Sequence, residues 1–397
     1  MNRDYRFYAD IVSNLPTPCA LLDLEMFHDN INAIANNTNG KNIRIASKSL
    51  RCVEAMKLVL DSNDCYKGIM TYSGSETIFL ANQGFDDLLI GYPLTDKQTI
   101  EQICILIKSG KTICFMVDCP EHIALIQNEA RKVGCTVPVC IDVDVSDTYP
   151  FLYFGVKRSS IKTMNDFSRL LKEIKNTTAI KLDGIMCYEA QVAGIGDTVF
   201  GKGIKSRAVQ FLKNKAIKNV AAKRAAVVDA ALTMGFDLRF VNGGGTGSLE
   251  FTKKENVVTE VTVGSGFFNG HLFDNYAHFK MQPALFFALS IVRKPAENTY
   301  TCYSGGYIAS GGIGKEKLPV VYLPEAGMLD ENEGAGEVQT PVIFPNKAEK
   351  LQIGDPIFFR HAKSGEVCER FNEIITLAQG GVIGSLTTYR GEGKNFG

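Results

Sequence analysis

Residues 238–248 read LRFVNGGGTGS and residues 257–270 read VVTEVTVGSGFFNG. Each is a short, β-branched or apolar run that stops at a cluster of glycines, the pattern of a buried strand running into a tight loop. Six runs of the same kind precede them: IRIAS at 43–47, GIMTY at 68–72, DLLIG at 87–91, TICFMVD at 112–118, VPVCIDVD at 137–144 and LDGIMCYE at 182–189. Between most of them lie stretches with apolar residues at helical spacing, such as LRCVEAMKLVLD at 50–61 and RAAVVDAALTMG at 224–235, the latter stopping at Gly235. Strands alternating with helices predict a parallel α/β fold. Eight such units in about 250 residues fit a closed barrel, with an open doubly wound sheet as the alternative that periodicity does not separate.

After about residue 280 the texture changes. ALFFALSIVRK, TYTCYSGGYIA, PVVYLP, PVIFP, DPIFFRHA and EIITLAQGGVIGSLTTYR read as strands, with turns at Gly305–Gly306, Gly311–Gly312 and Gly380–Gly381. The expectation is a (β/α)8 TIM barrel over residues 18–280 and a mostly antiparallel β domain over 281–397. Residues 1–17 join either part.

Composition narrows the function classes. The chain has 397 residues, 45% hydrophobic and 22% charged, which excludes a mainly disordered, collagenous or coiled-coil protein. It carries 43 basic and 43 acidic residues without a long basic run, so nucleic-acid binding is not expected. The longest apolar stretch, Ala284–Val292 with one Ser, is too short to span a bilayer, and MNRDYRFYAD lacks the apolar core of a secretory signal. An odd count of 11 Cys with no CxxC pair predicts reduced thiols and a cytoplasmic location.

Three motifs carry chemistry. Lys48, in RIASKSL, falls at the carboxyl end of the first strand, the end of a barrel that holds the active site. Apolar surroundings there would disfavour its charged form and leave an amine able to attack a carbonyl. The loops NGGGTGS and VGSGFFNG follow strands seven and eight, where such barrels commonly bind phosphate, and their backbone N–H groups can cradle an anion. Thr246, Ser248 and Ser265 add hydroxyls. A phosphate site facing a carbonyl-reactive lysine suggests pyridoxal 5'-phosphate (PLP). The glycine-rich loop 188–205 is a candidate lid, with Gln191 and Asp197 as possible substrate contacts. Asp142 and Asp144 alternate on one face of strand five. Of five His, His28 and His122 read as surface residues, and His271 and His278 lie near the domain junction.

Over most of its length the sequence resembles the fold-type III PLP enzymes, the alanine racemase-like barrels, and within them the D-threonine aldolase and D-serine dehydratase branch. TPCALLDLEMFHDNI, the RIASKS lysine strand, DDLLIGYP, IDVDV, NGGGTGS and EVTVGSG carry the likeness. The resemblance implies that Lys48 binds PLP as a Schiff base. It implies that Gly244, Gly245, Thr246, Gly264 and Ser265 surround the cofactor's phosphate, that Asn242 and Gly266 also bind the cofactor, and that Tyr188 lies near its ring. An Arg on the cofactor's phenolic oxygen aligns with Tyr153 or, with a shift, Arg158. Relatives hold a divalent metal through a His two residues before an Asp or Cys. His361 matches that His, but the partner position is Lys363, whose ammonium cannot ligate. Lys363 would then put a fixed positive charge where the relatives put a metal, with Glu366 as another acid, base or ligand.

The reading that follows is a PLP-dependent lyase, aldolase- or dehydratase-type, acting on D-configured β-hydroxy amino acids through Lys48, His361 and Lys363. A PLP-dependent racemase and a phosphosugar-binding barrel aldolase without PLP are the alternatives. A non-catalytic PLP carrier fits poorly, because the β domain is large. The resemblance also implies a homodimer whose sites combine the barrel of one chain with the β domain of the other. Partners other than a small amino acid are not expected.

Overall fold

A computed structural model describes residues 3–198, 203–312, 314–345 and 350–397. Eight parallel strands close into a barrel: Asn42–Ala46, Tyr66–Thr71, Leu88–Ile90, Ile113–Val117, Val137–Asp142, Ile180–Cys187, Phe240–Gly243 and Glu260–Val263. They pair in chain order, and the eighth closes on the first, with Val263 opposite Ile45. All eight predicted strands are present. They read as near-continuous apolar runs because a barrel strand packs on helices outside and on side chains inside. The helices begin and end at local signals. The side chains of Ser73, Asp96 and Thr163 accept N-terminal amides, and left-handed Gly134 closes the helix Pro120–Val133.

The barrel floor is polar. Arg44 is fully buried inside it and donates to Glu260 at 2.7 and 2.9 Å and to Asp87. Arg239 bridges Asp87 and Asp183, each at 2.8 Å. Met116, Cys140, Met186 and Phe240 pack in a small apolar cluster of their own. The floor is therefore plugged by paired charges, and the open end of the barrel is the opposite one.

The second unit is an antiparallel-rich sheet of nine strands. Its centre is the strand Leu285–Ala296, flanked by Pro356–Arg360, Thr299–Tyr303 and, unexpectedly, Cys19–Asp23. The sequence reading put residue 18 at the start of the barrel. Cys19–Asp23 instead runs antiparallel to Leu285–Ala296 and parallel to Glu373–Ala378. The reason is that the barrel is already closed by eight strands, while CALLD buries all five of its residues and needs cover on both faces. Leu21 packs with Tyr8 and Val12 of the helix Tyr5–Val12, and Leu22 packs into the main core. Residues 5–12 therefore side with the β domain. All eleven cysteines are free thiols. Among the described residues, no helix is long and apolar enough to cross a membrane.

The C-terminal segment straps the sheet to the barrel beside the Lys48 turn. Tyr389 donates its amide to the Arg51 carbonyl at 2.8 Å and its hydroxyl to Glu76 at 2.8 Å. Glu76 also accepts the Tyr72 amide at 2.7 Å, and burial pushes its carboxyl up to about 7. A carboxyl raised in the folded state stabilises the fold fully below its unfolded value and loses that contribution as pH rises through the folded value. Denaturant unfolding should therefore show a loss of about 3 kcal/mol from Glu76 as pH climbs from roughly 4.5 to 7. Glu76→Gln should remove that share of the slope, and unchanged slopes in the two proteins would contradict the assignment.

Candidate active site

At the carboxyl ends of the strands the barrel opens into a cavity of about 390 Å³. Lys48, Arg158, Tyr188, Asn242, Gly244, Gly245, Thr246, Gly264 and Ser265 all line it. Residues from strands one, five, six, seven and eight thus meet in one place. Gly266 stands just behind, its amide donating to the Thr246 hydroxyl at 3.1 Å.

Lys48 sits in a single 3-10 turn, Ser47–Ser49, that leaves the first strand. The turn is fixed by the Ser47 hydroxyl on the Met70 carbonyl and by Arg51, which takes a left-handed conformation. The expected apolar wrapping of Lys48 is not found. Its amine is exposed to the cavity and donates to the Tyr92 hydroxyl at 2.9 Å. Burial opposes a Tyr92 phenolate, but the charges of Lys48 and Arg158 outweigh it and hold the phenol below its usual value. Tyr92 was absent from the sequence reading, although it stands in DDLLIGYP, two residues past its strand.

The glycine loop after strand seven has an anchor that sequence reasoning missed. Glu189 is 2% exposed, and its carboxylate accepts the Gly244 amide at 2.9 Å and the Ser248 hydroxyl at 2.8 Å, together with the Thr252 hydroxyl. Arg224, fully buried on the long helix Ile204–Thr233, pairs with it at 2.7 Å and also holds the Cys187 carbonyl. Burial works against the Glu189 carboxylate, but Arg224 and these hydrogen bonds win and keep it below the usual carboxylate range. Gly244 adopts φ +80°, and a Cβ there would lie 2.5 Å from the Val261 side chain, so only glycine fits. Among the described residues, no protein group accepts the amides of Thr246, Gly247 or Ser265. The Ser49 and Ser265 hydroxyls meet at 3.0 Å beside them. Free amides and hydroxyls on two adjacent loops form a nest suited to a phosphoryl dianion. With the Lys48 amine lining the same cavity, the donor set fits PLP.

The charges around the cavity are mixed. The Arg158 guanidinium lies 5.8 Å from the centre of the Tyr188 ring. Tyr153 turns away, donating to Asp144 at 2.7 Å and to the Val156 carbonyl, so of the two candidates it is Arg158 that reaches the cavity. Asp118, Asp142 and Asp144 line the same wall. Burial, followed by the charge of Asp118, pushes the Asp142 carboxyl up to about 7 despite Arg158.

His361 and Lys363 do not line the cavity. His361 is 1% exposed, its Nε2 meets Ser364 Oγ at 2.9 Å, and burial pulls its imidazole down to about 3. Lys363 Nζ donates to the Ser310 carbonyl at 2.8 Å, and Glu366 accepts the Ser310 amide. Among the described residues, no group of metal ligands forms around His361. The segment still touches the site, since a side chain at Gly365 would overlap the Lys48 carbonyl. Burial, Lys317, Lys48 and Arg158 together lower the Lys363 ammonium below its ordinary value. Gln191 and Asp197 are not cavity residues. Gln191 donates to the Val145 carbonyl at 2.9 Å, and Asp197 pairs with buried Lys213 at 2.8 Å. Residues 199–202 of the expected lid lie outside the described residues.

The model of the alanine racemase N-terminal domain family matches residues 22–270. The chain is 26% identical over 255 residues to a 3-hydroxy-D-aspartate aldolase of Paracoccus denitrificans (strain Pd 1222), a match spanning 64% of this chain and 60% of that protein. It is 21% identical over 370 residues to a D-threonine aldolase of Arthrobacter sp, spanning 89% of each. The crystal structure of D-threonine aldolase from Filomicrobium marinum shares the fold with a TM-score of 0.82, at 16% identity and 96% coverage of both chains. D-threo-3-hydroxyaspartate dehydratase from Delftia sp. HT23 does so with a TM-score of 0.78, at 16% identity, covering 95% of this chain and 98% of its own.

The Glu189 anchor has a direct test. Glu189→Ala removes the partner of buried Arg224 and one acceptor of the Gly244 loop, and should cost about 3–5 kcal/mol of stability. Denaturant melts measure this, and a change under about 1 kcal/mol would contradict the anchoring role.

Proposed function

Because the chain belongs to the alanine racemase N-terminal domain family, we propose that it is a PLP-dependent lyase acting on D-configured β-hydroxy amino acids. One observation carries the reading. A single cavity presents a lysine amine from strand one and unpaired amides from the loops after strands seven and eight, matching a carbonyl and a phosphate on one small molecule. When bound, PLP supplies an electron sink for bonds broken at the substrate's α-carbon. The aldolase and dehydratase relatives support a lyase outcome.

The chain's own residues divide the work. Lys48 Nζ is the atom that holds the cofactor, and when released it can take or return a proton at the α-carbon, with the Tyr92 hydroxyl orienting it. The nest of Thr246, Gly247 and Ser265 amides holds the phosphate, and Glu189 fixes the first of those loops. Arg158 offers a positive charge beside the Tyr188 ring for the cofactor's phenolic oxygen. Asp142, raised to about 7, can exchange a proton with the substrate's β-hydroxyl near neutral pH. Lys363 stays outside the cavity, tied to the Ser310 carbonyl, and His361 braces that turn through Ser364. In aldol cleavage the β-hydroxyl loses its proton, the Cα–Cβ bond breaks, the α-carbon takes up a proton, and an aldehyde and glycine leave. In dehydration the α-proton and the hydroxyl leave as water, and hydrolysis of the enamine gives a 2-oxo acid and ammonia.

Proton NMR of D- and L-β-hydroxy amino acids in heavy water, with and without chelator, tests the reading. Glycine plus aldehyde, or a 2-oxo acid, should form from D substrates only, should survive chelator, and should vanish in Lys48→Ala. Deuterium at the α-carbon with loss of optical purity and no cleavage would make the protein a racemase instead.

A further inference from the structure

Strand four runs into Asp118-Cys119-Pro120-Glu121-His122, outside the machinery described above except for Asp118. A carboxylate oxygen of Asp118, the Cys119 sulfur and an imidazole nitrogen of His122 lie within 4.8 Å of one another. This convergence comes from the helix Pro120–Val133. Cys119 is its N-cap, and residues three apart at a helix start face the same side. The spacing Cys-x-x-His thus puts a sulfur and an imidazole on one side of the helix start.

Each donor is placed for ligation. His122 Nδ1 stands 3.0 Å from Asp118 Oδ1 and accepts the Asp118 amide at 3.3 Å, contacts that a bound cation would replace. The other carboxylate oxygen, Oδ2, accepts the Ser160 amide at 2.9 Å, which holds the carboxylate from behind as outer partners hold metal-ligating carboxylates. Cys119 occupies the cap position, and its sulfur faces the His122 amide and the Asp118 and Glu121 carboxylates. Access is available too. Asp118 lines the reaction cavity on one side and, on the other, a separate outer cavity of about 260 Å³ that Cys119, Glu121 and Ser160 also line.

We infer that Asp118, Cys119 and His122 form a binding site for a divalent cation of the zinc class, with its fourth position open to the outer cavity. A carboxylate, a thiolate and an imidazole are the donor types that zinc accepts in tetrahedral sites, whereas magnesium and calcium favour oxygen alone. The two anionic ligands balance the cation's charge. Asp118 is also one of the negative groups facing Asp142, so occupancy removes a charge from the wall of the reaction cavity without putting a metal on the substrate. The site does not depend on the reaction proposed above.

The test uses the full-length protein, reduced, dialysed against chelator and titrated with Zn²⁺ against a chromogenic competitor. A parallel titration with Co²⁺ is followed by absorption. One zinc should bind per chain, and the cobalt form should show a sulfur-to-metal charge-transfer band. Cys119→Ser keeps a small polar side chain at the cap position, so it should fold as the parent does by thermal melting. It should lose the band and weaken zinc binding by at least about 100-fold, with His122→Gln weakening it comparably. His361→Asn should leave both signals intact. Absence of stoichiometric zinc, a band that persists in Cys119→Ser, or binding lost only in His361→Asn would each overturn the assignment.

Discussion

A charged carboxylate with no access to water holds the site together. Glu189 survives inside the protein because four donors surround it: the Gly244 amide and the Ser248 hydroxyl of the loop after strand seven, the Thr252 hydroxyl and the Arg224 guanidinium, which also donates to the Cys187 carbonyl at the end of strand six. Each partner is thereby fixed in place by the cost of leaving it unpaired. Gly244 is held in its left-handed turn, the following amides of Thr246 and Gly247 are left facing the cavity, and the long helix is locked to the barrel. Without this carboxylate the glycine loop would be a flexible turn. With it, the loop is a preorganised anion receptor.

Charge is distributed along the barrel axis so that the two ends differ in kind. At the floor, Arg44 and Arg239 are matched by Glu260, Asp87 and Asp183, and nothing is left free to react. At the mouth, among the described residues, no carboxylate forms an ion pair with Lys48 or Arg158, while burial holds Asp142 raised beside them. The balance of 43 basic and 43 acidic residues conceals this separation, because the total averages a neutralised floor with a mouth whose charges are kept apart.

The sequence makes some of this legible and hides the rest for physical reasons. The eight barrel strands are visible because each is apolar on both faces and ends at a glycine or polar stop. Lys48 and the loops at 242–248 and 263–270 follow from their place after strands one, seven and eight. Cys19–Asp23 is apolar in the same way, so nothing local says that it leaves the barrel for the second sheet. Glu189 and Arg224 are 35 residues apart, and a buried ion pair leaves no periodic trace, although an Arg within the apolar run 224–235 is a faint sign. Tyr92 and Arg158 depend on how their loops turn. The hairpin Asp147–Tyr149 and Leu152–Phe154 makes that turn unreadable before Arg158. His361 falls in an apolar strand end, and there its burial, not its residue type, decides what it can do.

The central claim is that Lys48 is the lysine that carries the cofactor. Borohydride reduction of the purified protein, followed by peptide mass spectrometry, tests it most directly. The account predicts one phosphopyridoxyl group per chain, fixed on the ε-nitrogen of Lys48, with bleaching of a yellow chromophore. A protein that carries no such group after incubation with PLP, or carries it on another lysine, contradicts the account.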